Sequence, residues 1–275
     1  MKRYFDIGYH YNTVTEGWRY IFGDNFHFGY FKTPEDNLDR ATDNLIDELA
    51  SLCNLESTTK ILDAGCGIGT PAIYLNQKYG SAITGVSTSS KGISIAGKQL
   101  PNEDAKKSIC FMVADMTATG FPDESFDVVW VMESSHLVKD KELLMKEFYR
   151  LLKPGGYVLL ADVMLSKEIN TVIRLKSFFK FIYLHYAFGR GKLETSEYYV
   201  FLMRQTGFKN IYSKNIEKEA EGTLDWWENN IIINWTYLVN IMNQRRVNMF
   251  RKAIKSLRYF FGQGIFCYYI MKAEK

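Results

Sequence analysis

Residues 61–70 read Ile-Leu-Asp-Ala-Gly-Cys-Gly-Ile-Gly-Thr. The segment KILDAG (60–65) has the short apolar run of a buried strand, and TPAIYLNQKYG (70–80) reads as a helix ending at Gly80. Between them stands a tight Gly-x-Gly-x-Gly turn. Gly65 and Gly67 lack a Cβ, so their backbone can approach a ligand closely, and the helix behind them offers free N–H groups. The spacing separates this loop from two others. A dinucleotide fingerprint wants glycine where Thr70 stands, and a P-loop needs a Gly-Lys-Ser/Thr ending that is absent. A purely structural turn is the bland alternative, so the flanking segments must decide.

Downstream, AITGVS (82–87), SICFMVADM (108–116), FDVVWVME (126–133) and YVLLADVM (157–164) read as strands. SKGISIAGKQL (90–100) and the amphipathic KDKELLMKEFYRLL (139–152) read as helices, the second stopped by Lys153-Pro154-Gly155-Gly156. Strands alternating with helices at this spacing predict βαβ units and a parallel sheet. Such sheets bind ligands at the carboxyl ends of their strands. Ser87, Thr88 and Ser89 end the second strand, where a nucleoside ribose would lie. Asp115 ends the third, where a carboxylate could accept from an adenine amino group.

The chain has 275 residues, 47% hydrophobic and 24% charged, which suits one domain with an elaboration or two small domains. A net charge of +3 argues against nucleic acid as the main partner. The cysteines, Cys53, Cys66, Cys110 and Cys267, are scattered, with no zinc spacing and no expected metal site, and reduced thiols in a cytoplasmic protein are the expectation. The N-terminus has no apolar run suited to a signal peptide, and no stretch is long enough for a membrane span. Residues 1–33, aromatic and punctuated by glycine, are expected to form short helices and loops rather than one long helix. TPEDNLDRATDNLIDELASL (33–52) predicts an amphipathic helix capped by Thr33. Beyond 164, residues 166–192 read as helical with a Gly-Arg-Gly break, 196–208 as a helix, 209–216 as a strand, 225–264 as helical and 264–275 as a terminal strand.

The ordered set ILDAGCGIGT, ADMTATGFPDESFDVV and LLKPGGYVLLADV closely resembles class I S-adenosylmethionine (SAM)-dependent methyltransferases over residues 58–163. The resemblance implies an α/β, Rossmann-like, mostly parallel seven-stranded sheet with helices on both faces, an N-terminal helical flap and helical lid insertions. The implied divisions are a flap at 1–55, a SAM-binding core at 56–163, a lid insertion at 164–195, a core helix and strand at 196–216, a second lid insertion at 217–263 and a terminal core strand at 264–275. It further implies that Asp63, Gly65, Cys66, Gly67 and Gly69 shape the site for the methionine part of SAM, and that Asp115 and Met116 hold the adenine. One position departs from the family. An acid usually ends the second strand, whereas this chain has Ser87, as often in the branch of sterol, tocopherol and sugar O-methyltransferases, where hydroxyls such as those of Ser87 and Thr88 hold the ribose. That substitution also motivates an alternative, a non-catalytic SAM-fold binding subunit.

EGWRYIFGDNFHFGYF (16–31) and WVMESSHLV (130–138) resemble the same branch. They bring forward Glu133, which would also neighbour SAM, then His136, His27 and Tyr30 as residues at the methyl group, while His10 and His185 read as structural. Aromatic residues of the insertions, Phe178, Phe179, Phe181, Tyr183, Tyr186, Phe188, Trp226, Trp227, Trp235 and Tyr237, are either core or the wall of a substrate pocket. Ring faces attract cations, which suits a carbocation and gives a lean to carbon methylation over nitrogen or oxygen. Arg174, Lys176, Lys180, Arg190 and Lys192 either grip an anionic group such as a diphosphate or form a solvated face. The expected acceptor is thus a small apolar or amphipathic metabolite, of the isoprenoid or natural-product kind. An RNA or protein acceptor is disfavoured by charge and by the lack of an Asn-Pro-Pro-Tyr-type motif. The oligomeric state is left open, a homodimer being one option.

Overall fold

The apolar runs assemble, in the computed structural model, which describes residues 7–275, into a seven-stranded sheet. The strands are β1 (Lys60–Ala64), β2 (Ala82–Ser87), β3 (Ile109–Val113), β4 (Phe126–Met132), β5 (Leu152–Leu165), β6 (Lys209–Asn215) and β7 (Phe266–Glu274). Their order is β3-β2-β1-β4-β5-β7-β6. The first five are mutually parallel, and β7 runs antiparallel between β5 and β6. The direction of strand progression reverses between β1 and β4, the switch point at which open α/β sheets leave a crevice.

The helices are α1 (Ile7–Phe22), α2 (Leu38–Ala50), α3 (Thr70–Tyr79), α4 (Ser90–Lys98), α5 (Glu103–Ser108), α6 (Lys141–Leu151), α7 (Thr171–Lys176), α8 (Phe178–Phe188), α9 (Ser196–Thr206), α10 (Glu217–Ala220), α11 (Thr223–Ile233), α12 (Trp235–Met242) and α13 (Gln244–Gly262). They cover both faces of the sheet because alternate strand residues point to opposite layers. Val128 and Trp130 of β4 join a core with α1, α2, α8, α11 and α13. Val129 and Val131 join a second core with α6 and α9.

Several expectations are corrected. The N-terminal segment forms one sixteen-residue helix, α1, despite its two glycines. Gly17 has a packing reason: a Cβ there would stand 2.0 Å from Met242 Sδ on α12. Residues 1–6 of the proposed flap lie outside the described residues. Helix α2 is capped not by Thr33 but by Asn37, whose side chain accepts from Arg40 N. The short helix α5 precedes β3, and β5 begins at Leu152, with Gly155 at φ +78° inside it. The first insertion breaks at Ser177 as well as Gly189, and residues 225–264 fall into three helices rather than one. Among the described residues no helix is long and apolar enough to cross a membrane.

Candidate active site

The turn after β1 is held by Gly65 N and Cys66 N, both donating to Val86 O of β2 at 2.9 and 3.0 Å. Its glycines do different work. Gly65 has φ +96°, and a Cβ there would lie 2.2 Å from Ser134 Cβ, so the segment after β4 can cross behind the loop only because the side chain is missing. Gly67 has no heavy atom within 4 Å of a would-be Cβ; it faces open space. Gly69 departs from its expected role. Its would-be Cβ meets Phe111 of β3 and Ala96 of α4, and it is absent from the cleft lining, so it packs the loop against these elements rather than facing the cleft.

A cleft of about 480 Å³ opens over the strand ends, lined among others by Gly65, Gly67, Ser87, Thr88, Asp115 and Met116. Asp115 is exposed there, and its Oδ1 accepts from Thr117 N and Oγ1 at 2.9 and 2.8 Å. At the glycine-loop end a smaller cavity of about 40 Å³ is lined by His27, Asp63, Cys66 and their neighbours. His27 Nδ1 donates to Phe28 O at 2.7 Å, which leaves Nε2 as an acceptor, and burial pushes its pKa down to about 4. Burial also pushes the Asp63 carboxyl up to about 7. His27 Nε2 and Asp63 Oδ2 are both buried without a partner. Two orphaned acceptors beside a glycine whose missing Cβ leaves open space fit the ammonium end of a methionine. The ribose would then fall against Ser87 and Thr88, and the adenine against Asp115 and Met116.

Glu133 follows β4 in the left-handed region, at φ +47°, a strained conformation for a residue with a side chain. Its N–H still donates to Ala161 O of β5 at 2.8 Å, so the ladder holds while the side chain turns. Its Oε1 accepts from Phe28 N at 2.5 Å and from the Tyr268 hydroxyl at 2.7 Å. Burial outweighs both bonds and pushes its pKa up to about 8, so it carries a proton at neutral pH. Glu133 lines both the cleft and a second, apolar cavity enclosing about 120 Å³.

Trp18, Phe22, Phe26 and Phe28 from the N-terminal segment, Phe181 and Phe188 from α8, and Trp227 from α11 wall that apolar cavity. His136 lies at its edge. Its Nδ1 is 2.7 Å from Asp162 Oδ1, and its backbone N donates to Oδ2 at 3.0 Å. Ser135 Oγ donates to the same Oδ2 at 2.6 Å. Burial alone would raise the Asp162 pKa, but the His136 and Ser135 donors hold it below the usual carboxylate value. The carboxylate therefore fixes the imidazole with Nδ1 protonated and Nε2 carrying the lone pair. Lys141, buried on α6, ties down the turn that carries His136 by donating to Ser135 O at 2.7 Å and to Val138 O.

Tyr30 is not part of this constellation. It faces away, its hydroxyl accepting from Lys214 Nζ at 3.3 Å with that ammonium over its ring, because Lys214 is itself anchored to Glu48. Of the insertion aromatics, only Phe181, Phe188 and Trp227 reach the cavity, while Phe178 and Phe179 stand in solvent. Among the described residues no Lys or Arg lines the cavity, so the insertion's Arg174, Lys176, Lys180, Arg190 and Lys192 lie outside it. His10 Nε2 bonds Ala187 O at 3.0 Å, a structural contact, but His185 does line the cavity. Asp162 and Tyr268 were not singled out by sequence. An Asp within the apolar run VLLADVML was a signal of a buried charge needing a partner; Tyr268 carried none.

Residues 62–160 match the family model described as "Methyltransferase domain". Over this stretch the chain is similar to methyltransferase domains. Methyltransferase GfsG of Streptomyces halstedii is 31% identical over 169 residues, covering 61% of each chain. The 27-O-demethylrifamycin SV methyltransferase of Amycolatopsis mediterranei is 34% identical over 58% of this chain and 59% of its own. The chain thus spans about three fifths of the length of these two curated relatives. Among solved structures, the cyclopropane synthase MmaA2 from Mycobacterium tuberculosis superposes with a TM-score of 0.87 at 16% identity, over 98% of this chain and 97% of that one, a likeness of fold.

Proposed function

We propose that this chain is a SAM-dependent methyltransferase that methylates a hydroxyl oxygen of a small, largely apolar molecule held in the aromatic cavity, with His136 taking the hydroxyl proton. The observation that carries this reading is the His136–Asp162 pair, 2.7 Å apart at the cavity edge. SAM in the cleft supplies an electrophilic methyl group. The chain has three tasks: to align the acceptor, to exclude water and to remove a proton. The cavity's rings do the first two. His136 does the third through Nε2, and the buried Asp162 carboxylate stabilises the imidazolium that results. Protonated Glu133, at the junction of cleft and cavity, orients as a hydrogen-bond donor. A neutral carboxyl offers little to a carbocation, which weakens the lean towards carbon methylation. A relative named for 27-O-demethylrifamycin SV lends support to an oxygen acceptor.

Transfer of labelled methyl to a panel of hydroxylated apolar compounds, beside calorimetry with S-adenosylhomocysteine, tests the assignment. His136→Gln is expected to leave S-adenosylhomocysteine binding within about twofold and to lower kcat by about 10²–10⁴. Undiminished transfer by that variant rejects His136 as the base. Binding with no transfer to any acceptor points to the non-catalytic subunit instead.

A further inference from the structure

Residues 169–193 and 229–265 hold eleven Lys and Arg and no Asp or Glu, whereas the rest of the chain holds 23 Lys and Arg against 31 Asp and Glu. These acid-free segments contain α7, α8, α12 and α13. Lys192 and Arg258 pair with carboxylates just outside them. Lys180 and Lys252 lie over the Tyr259 and Tyr183 rings, 4.1 and 5.1 Å from their centres, which joins α8 to α13. The same surface carries bare apolar side chains: Val172, Leu175, Phe178 and Phe179 are 56%, 73%, 55% and 67% exposed. Single exposed apolar residues are ordinary, but four along two consecutive short helices form a patch. Helix α8 has two apolar faces. Phe181, Leu184, His185 and Phe188 line the cavity, while Phe179, Ile182 and Tyr186 recur at helical spacing on the outside.

We infer that α7 and α8 dock on an anionic lipid bilayer. Leu175 and Phe179 enter the boundary between headgroups and acyl chains, and the surrounding cations face lipid phosphates. A nucleic acid would satisfy the cations yet leave Leu175 and Phe179 in water, so the combination favours a membrane. The consequence for substrate class rests on the function proposed above: an acceptor dissolved in the bilayer is separated from the cavity by the thickness of α8 alone.

Sedimentation of the full chain with vesicles tests the docking. Phosphatidylcholine vesicles are compared with vesicles in which about a third of the lipid is phosphatidylglycerol. Binding to the anionic vesicles is expected to be at least about tenfold stronger, and to fall about tenfold in both Leu175→Ser/Phe179→Ser and Arg174→Gln/Lys176→Gln. Unaltered calorimetry with S-adenosylhomocysteine checks that each variant is folded. Equal binding to both vesicle types overturns the inference. So does vesicle binding untouched by Leu175→Ser/Phe179→Ser, and so does tight single-stranded RNA binding that survives that variant, which assigns the face to nucleic acid. No methyl transfer enters these readouts, so they fail independently of the enzymatic reading.

Discussion

Glu133→Gln separates a protonated carboxyl from an ionised one. In the unfolded chain the carboxyl releases its proton near its ordinary value of 4.5, whereas the folded protein holds it to about 8. The folded state therefore binds the extra proton between these limits. The associated stability is fully present below pH 4.5 and is lost as the pH rises to about 8. The gap, at 1.36 kcal/mol per pH unit, sets a ceiling of about 5 kcal/mol. Glutamine has nearly the same shape, keeps an oxygen to accept from Phe28 N and Tyr268 Oη, and does not titrate. Thermal unfolding of wild type and Glu133→Gln from pH 5 to 9 should therefore diverge, the wild type losing ground by up to about 10 °C for a chain of this size. Curves that stay parallel across this range refute the claim that the fold keeps Glu133 protonated. In the same variant, transfer at neutral pH should stay within about tenfold of wild type, because the amide replaces the carboxyl as a donor. Abolished transfer would mean that the ionised form acts.

Asp115→Ala should weaken S-adenosylhomocysteine binding about tenfold by calorimetry, by removing an acceptor for the adenine amino group. Gly67→Ala places a Cβ in empty space at φ +57°; the fold should survive a strain of about 1–2 kcal/mol while ligand binding falls by tenfold or more. Gly65→Ala should instead lower Tm sharply, since its Cβ meets Ser134 rather than ligand. Lys141→Met strands the buried Ser135 carbonyl and the half-buried Val138 one and should cost about 2–4 kcal/mol in denaturant unfolding.

The βαβ core was legible because its strands are short apolar runs bounded by turn residues, and β2 was read to the residue. Helix α1 was not, because its sequence has poor intrinsic propensity and is held by burial of Trp18, Ile21 and Phe22 and by the approach of α12 at Gly17. The cap of α2 was misplaced since Thr33 and Asn37 both suit the role, and which one acts depends on where the chain enters from the loop before it. In the site, Glu133 and His136 stood out through their place after β4. What holds them did not: Phe28 N is a backbone group, and Tyr268 comes from the far end of the chain. Tyr30 turns away because the resemblance along 16–31 that brought it forward says nothing of Lys214, a neighbour only in the folded chain.

The cleft and the apolar cavity share Tyr11, Trp18, Phe26 and Glu133, and are otherwise built from separate parts of the chain. Strand ends and the turns after them make most of the first; α1, the loop after it, α8 and the segment after α8 make most of the second. The acceptor side is therefore open to diversification by point changes at Leu184, Trp227 or Leu257 that leave the donor side intact. In a laboratory evolution campaign, libraries confined to those positions would explore new acceptors on an unchanged methyl-donor platform.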